Sequence, residues 1–164
     1  MMNVQIIDYQ DKYFIEVAKL IADFRVTLQR FKNIETEPDI ESAKEELKEY
    51  LDEKYPLYLA ARGEQIVGYI LLRVHYVVWV EHIFVEQEYR RKGIASKLFD
   101  KAESYANDLK EDTVFNYIHP NNNAMVNFLK SKGYSVLNLI EIRKHYKDEK
   151  TTTRIVVGDN EFDY

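Results

Sequence analysis

The sequence predicts an α+β fold, a single domain of residues 1–164 with 143–164 as a closing strand and tail. The expected architecture is one mixed, mostly antiparallel central sheet of about six to seven strands, flanked by four helices. Three observations carry this. The length, 164 residues, is that of one domain. Apolar residues at 46% and charged residues at 31% suit a packed core and not a disordered chain. The apolar spacing also switches between helical and strand periods, in the order strand, two helices, three strands, helix, strand, helix, two strands.

Val4–Ile7 is the first strand. Residues 11–31 form an amphipathic helix, with Phe14, Val17, Ala18, Ile21, Phe24 and Leu28 at spacings of three and four. After a polar link containing Pro38, Ile40, Ala43, Leu47, Tyr50 and Leu51 place a second helix over 39–53. Leu57–Ala61 and Ile66–Tyr76 make a hairpin about the turn Arg62-Gly63-Glu64-Gln65. Val77–Val85 is nearly continuous in apolar residues, so it is a central strand. No turn residue marks the break at 76/77. Ile94, Leu98, Ala102, Tyr105, Ala106 and Leu109 give the strongest helical stripe. Val114–His119 is a strand ended by Pro120, and 121–132 a helix stopped by Gly133 as a left-handed cap. Ser135–Ile142 and Arg154–Val157 then close the sheet as an antiparallel pair.

Composition also excludes. With no cysteine there is no disulfide framework, thiolate metal site or cysteine nucleophile. No His, Asp and Glu set has metal-ligand spacing, so no metal is expected. The absence of a long apolar run, and of a basic leader in MMNVQIIDYQDKY, leads to the expectation of a cytoplasmic protein with no membrane span. A net charge of −5 argues against a nucleic-acid groove binder.

The sharpest motif is Tyr89-Arg90-Arg91-Lys92-Gly93-Ile94-Ala95-Ser96, between the central strand and the strongest helix. A helix N-terminus presents unpaired amides and a positive dipole end, so it can hold an anion. By itself the motif could equally be a solvated basic turn. It is not a Walker loop, since no Gly-Lys-Ser/Thr follows. Together, VEHIFVEQEYRRKGIASKLF (80–99) and IHPNNNAMVNFLKSKGY (118–134) resemble the GNAT superfamily of acyl-CoA-dependent N-acetyltransferases. The resemblance spans roughly 57–142, and the element order outside that span agrees with it.

That resemblance implies acetyl-CoA as co-substrate, with its pyrophosphate on the amides of Arg90, Arg91, Lys92, Gly93, Ile94 and Ala95 and the hydroxyl of Ser96. Arg91 and Lys92 either add point charges or merely solubilise. The pantetheine arm then falls along Ile83, Phe84 and Val85. Asn122, eleven residues before the Gly133-Tyr134 pair, either bonds that arm or caps its helix; Phe128 packs near the cofactor or in the core.

The implied reaction is direct acyl transfer from a thioester to a primary amine, which needs a group to take the amine's proton. Many members carry a tyrosine seven residues after the asparagine as general acid; here that position is Leu129. The candidates that remain are Glu81, Tyr117 and His119. Glu81 interrupts a buried apolar run and is either a base of raised pKa or an ion-paired strand carboxylate. It shares a face with Val77, Trp79, Ile83 and Val85 unless a bulge intervenes. Tyr117 could be the acid, orient a water, or pack. His119 lies on the same side as Tyr117, whereas His82 reads as a packed core histidine.

For the acceptor, residues 35–53 hold nine acidic side chains against Lys44 and Lys48. They form either a rim attracting a cationic small molecule or peptide amine, or a solvated helix face. The aromatic-rich tail and the family's habits suggest a homodimer. Without the usual tyrosine, the alternative reading is a non-catalytic acyl-CoA sensor.

Overall fold

The computed structural model describes residues 3–151 and 153–164. They form two compact units, one reaching to Asn127 and the other running from Phe128 to Tyr164. In the first, β1 (Gln5–Asp8) leads through a short 3-10 turn into α1 (Phe14–Arg30), followed by α2 (Ile40–Asp52). Next come β2 (Leu57–Arg62), β3 (Gln65–Val74), β4 (Val78–Val85), α3 (Ile94–Asp108) and β5 (Phe115–Asn116). The helix α4 (Asn123–Ser131) leads into the second unit, whose strands are β6 (Arg154–Val157) and β7 (Asn160–Asp163). No described helix is long and apolar enough to cross a membrane.

Helix α1 buries Val17, Ala18, Leu20, Ile21, Ala22 and Val26, and α2 buries Ala43 and Leu47. The start of α2 is set by Asp39, whose carboxylate accepts from the Ser42 amide at 3.0 Å and so satisfies one of the helix's orphan donors. These faces pack with Leu57, Leu59, Tyr69, Leu71 and Phe84 into one core. Each fully buried Leu or Ile there contributes about 1.5–3 kcal/mol.

The central sheet runs β1-β2-β3-β4-β5, antiparallel except where β4 meets β5. Strand β2 is buried on both faces. Leu57, Leu59 and Ala61 join the α1/α2 core, while Tyr58 receives Lys101 of α3 over its ring at 4.9 Å. A near-continuous apolar run is therefore what its position demands.

The fold class is as expected, but the central sheet has five strands. Residues 135–142 form no strand, and the partner of Arg154–Val157 is Asn160–Asp163. The reason is local. Gly158-Asp159 folds the chain straight back, and Arg154 then meets Glu161 at 3.1 Å and Asp163 at 3.8 Å across the hairpin. Strand β5 is shorter than Val114–His119: only Phe115 and Asn116 pair, and the Asn116 side chain turns back to the Val114 carbonyl at 3.2 Å. Gly133 ends α4 as anticipated. With φ +91° it lets its own amide reach the Lys130 carbonyl and the Tyr134 amide reach Leu129, both at 3.0 Å, a Schellman cap.

Candidate functional site

Three features of the first unit converge at the carboxyl end of β4. The first is a row of free amides. Arg91 and Gly93 adopt left-handed backbone (φ +62° and +78°), with Gly93 as the N-cap of α3. Among the described residues, no backbone or side-chain oxygen accepts from the amides of Arg91, Lys92, Gly93, Ile94, Ala95 or Ser96. Hydrogen bonding along the loop begins only at the Lys97 amide, which donates to Gly93 at 3.1 Å. Six orphan donors at the positive end of a helix suit a multiply charged anion such as a diphosphate.

The flanking cations brace this loop. Arg90 Nε donates to the Val85 carbonyl at 2.8 Å with its guanidinium over Phe84, and its amide is already used by Gln87. Lys92 Nζ donates to the Glu88 carbonyl at 2.7 Å and lies over Tyr89. Arg91 is exposed and free to reach an anion.

The second feature is an open strand edge. Pairing of β4 with β5 consists of Trp79↔Phe115 and Val80↔Asn116 and stops there. Ile83, Phe84 and Val85 pair with Ile70, Tyr69 and Gly68 of β3, but have no strand partner on their other side among the described residues. Glu81 stands at the parting point. A bulge does intervene: Leu71 pairs with His82 and Leu72 with Val80, so Glu81 is the extra residue. Its carboxylate lies 3.2 Å from Arg73 Nε. Arg73 in turn lies 6.0 Å from the Tyr117 ring, which is 61% exposed and stacks on Trp79 at 4.3 Å. Glu81 and Tyr117 are thus gathered around Arg73.

His119 is placed elsewhere, stacked on Phe31 at 5.6 Å, with Nδ1 accepting from the Asn121 amide. Burial, then Lys32, lowers its pKa, so it is neutral at pH 7. Asn122 is the N-cap of α4: its Oδ1 accepts from the Met125 amide at 3.1 Å. Asn121 donates to the Phe31 carbonyl at 2.9 Å. Phe128 is half-buried and Leu129 buried, both in the second unit.

The chain that carries this arrangement has counterparts among known proteins. The family model described as acetyltransferase (GNAT) family matches residues 21–134, well over half of the chain. The chain belongs to the GNAT acetyltransferase family. Solved structures agree on the fold. The aminoglycoside 6'-N-acetyltransferase AAC(6')-IG of Acinetobacter haemolyticus is 19% identical over 88% of this chain and 99% of its own, with TM-score 0.66. Ribosomal-protein-alanine N-acetyltransferase from Brucella melitensis biovar Abortus 2308 is 19% identical over 88% and 100%, with TM-score 0.68. Aminoglycoside N-acetyltransferase AAC(6')-Iy, solved in complex with CoA, is 15% identical over 88% and 96%, with TM-score 0.69. No curated protein matches the chain by sequence.

The third feature of this GNAT chain is a cavity of about 680 Å³ between α1, residues 35–38 and the end of β4. Asp23, Glu35, Glu37, Glu86 and Glu88 line it against Arg30 and Arg90, with Thr27 and Phe84 between. Of the acidic stretch 35–53, only Glu35 and Glu37 reach this cavity; Arg30 is paired with Glu35 at 3.6 Å. Asp23 and Glu86 carry no sequence signal. Asp23 is one polar residue in a helix, and Glu86 merely follows a strand.

Burial, then Glu88 and Asp23, pushes the Glu86 carboxyl above its usual range, and burial does the same to Asp23. A folded-state pKa above the unfolded one means the folded chain holds a proton the unfolded chain has lost. Stability therefore falls as pH rises from 4.5 through the raised value. Glu86→Gln should melt about 1–2 °C higher than wild type at pH 7, with the difference closing near pH 4. Equal melting at pH 7 would mean that the ionised carboxylate is already compensated.

Proposed function

We propose that this GNAT chain transfers an acetyl group from acetyl-CoA to a primary amine on a cationic acceptor. The observation that carries the reading is the row of six unsatisfied amides from Arg91 to Ser96, beside the edge where β4 is free of β5. The amides would receive the pyrophosphate, and the Ile83–Val85 edge would receive the amide-bearing pantetheine arm. The thioester would then lie near Glu81.

The chemistry is a balanced transfer. The deprotonated amine attacks the thioester carbonyl, the tetrahedral adduct collapses, the new amide bond forms and the C–S bond breaks. Glu81 as general base takes the ammonium proton before attack, and the proton that the adduct nitrogen then sheds passes through Tyr117 or water to the leaving thiolate. His119 is the weaker candidate, because its ring is stacked on Phe31 and one nitrogen is occupied. The carboxylate-lined cavity supports a cationic acceptor, since an ammonium would relieve the repulsion around Glu86. The names of the neighbours, aminoglycoside and ribosomal-protein acetyltransferases, are compatible with either a small polyamine or a peptide amine. A cytoplasmic homodimer completes the reading, and light scattering of the purified chain tests the dimer.

Leu129 favours a second reading, an acyl-CoA-binding module without turnover. A panel of spermidine, an aminoglycoside, a lysine peptide and benzylamine with acetyl-CoA, read by thiol release, separates the two. Turnover preferring the polycations supports transfer. Tight CoA binding with no turnover on any amine leaves only the sensor. For the active amine, Glu81→Gln should lower kcat at least about 100-fold while CoA affinity holds. An unaltered pH–rate profile in that variant would remove Glu81 as the base.

A further inference from the structure

His82 is left unused by the transfer just described. It is 2% exposed and the one buried polar residue among the described residues. Three elements converge on its ring. Arg25 Nη2 of α1 lies 3.2 Å from Nε2, and Tyr69 Oη of β3 lies 3.1 Å from Nδ1. From α2, Glu46 Oε1 and Tyr50 Oη approach Nε2 at 3.5 Å. Phe24 packs on the ring at 4.7 Å and Tyr50 meets it edge-on at 5.4 Å.

The hydrogen-bond directions are constrained. A guanidinium only donates, so Nε2 accepts from Arg25 and the proton resides on Nδ1, which donates to Tyr69 Oη. Arg25 also grips both oxygens of Glu46, and the Tyr50 hydroxyl donates to Glu46 at 2.7 Å. Burial, then Arg25, pushes the imidazole pKa down to about 3 against the pull of Glu46, so the ring is neutral. An apolar side chain would fill this volume without desolvating a polar ring, so packing alone does not account for a histidine.

What the ring secures is the residue before it. Both irregularities of β4 fall at residue 81: the bulge against β3, where Leu71 pairs with His82 and Leu72 with Val80, and the end of pairing with β5 at Val80. The Tyr50 hydroxyl also lies within the field of the Glu81 carboxylate. We propose that His82 is a positioning residue: held by Arg25 and Tyr69, it pins β4 just after the bulge and so aims the Glu81 carboxylate where β4 and β5 part. The inference rests on Glu81 being the base.

The test needs a readout that packing alone would not move. In the full chain, the Glu81 side-chain carboxyl carbon is followed by NMR through a pH titration, its signal assigned by its loss in Glu81→Gln. His82→Phe should displace the Glu81 signal's titration from that of wild type, because the distance of the carboxylate to Arg73 changes. Tyr69→Phe, which deletes one oxygen and keeps the fold if His82→Phe does not, should displace it in the same direction by less. His82→Gln, whose amide can still accept from Arg25, should restore part of the shift. CoA affinity should change less than about twofold, because the amide row is untouched. An unchanged Glu81 titration in both His82→Phe and Tyr69→Phe, even with lowered melting temperatures, overturns the proposal. Failure of the base reading is seen separately: Glu81→Gln then turns over the active amine at the wild-type rate. If Glu81→Gln is slow but Tyr69→Phe and His82→Phe keep wild-type kcat, only the positioning role fails.

Discussion

Gly93→Glu should abolish CoA binding while leaving a folded protein. At φ +78° the residue occupies backbone that L side chains enter at a cost of about 1–2 kcal/mol. That strain is the main damage to the fold, since a Cβ built at Gly93 meets nothing within 4 Å. A melting temperature lower by about 2–8 °C follows. The effect on binding is larger and has a different origin. The open space beside Gly93 is bordered by the unsatisfied amides of Arg91 to Ser96, so a carboxylate there both fills the diphosphate's place and competes for its donors. Loss of two charge-assisted hydrogen bonds is about 3–6 kcal/mol, or roughly two to four orders of magnitude in Kd. Gly93→Ala separates the terms: it keeps the backbone strain, adds no charge, and should weaken CoA far less. Calorimetric titration with CoA decides it. A Gly93→Glu protein that binds CoA as tightly as wild type would move the anion site away from this loop.

The helices and this loop were legible because their signals are local. A 3.6-residue apolar period identifies α1, α2 and α3 without knowledge of their partners, and a glycine ahead of a strong helix identifies the loop. The strands were legible only where the turn was. Gly63-Glu64 marks the β2–β3 hairpin, but β3 and β4 are joined by His75–Val77 with no turn residue, and the break falls two residues from the expected point on one side and one on the other. Ser135–Ile142 has the apolar, β-branched content of a strand, yet composition does not supply a partner, and none of it is paired. The candidate site divides the same way. His82 reads correctly as a core histidine, because it lies inside a buried apolar strand, although the bulge turns Glu81 to the face of Arg73 that His82 also occupies and strict alternation would have set the two apart. The bulge at Glu81 was invisible, because it is set by how β3 and β4 register, and that depends on neighbours such as Leu71 and Leu72. Asp23 and Glu86 were invisible for a related reason: they become a pair only when α1 crosses the end of β4.

Gly68→Ala should cost the most stability of any single-methyl addition in the sheet. Gly68 lies inside β3, paired with Ala60 of β2 and Val85 of β4, and a Cβ there would sit 2.7 Å from the Phe84 carbonyl oxygen and 3.1 Å from Val85 Cγ2. The first contact is with backbone, so no rotamer change relieves it. Either β4 moves or the pairing stretches. Overpacking of this kind costs about 1–3 kcal/mol, and the rigid neighbour places this case at the upper end. The expected fall in melting temperature is then about 5–10 °C. The damage is also directed. The adjacent Val67 carbonyl accepts from the Glu86 amide at 3.0 Å, and Phe84, Val85 and Glu86 form the open edge and the cavity wall beside the amide row. A β4 displaced at Phe84 should therefore weaken CoA binding in the folded protein as well, by about tenfold if one hydrogen bond to the arm is lost. Ile66→Ala is the control, because it removes core volume from β3 without pressing on Phe84. It should lower the melting temperature comparably and leave CoA affinity near wild type. If Gly68→Ala and Ile66→Ala lose stability equally and bind CoA equally well, the close approach at Phe84 constrains the fold alone and not the cofactor edge.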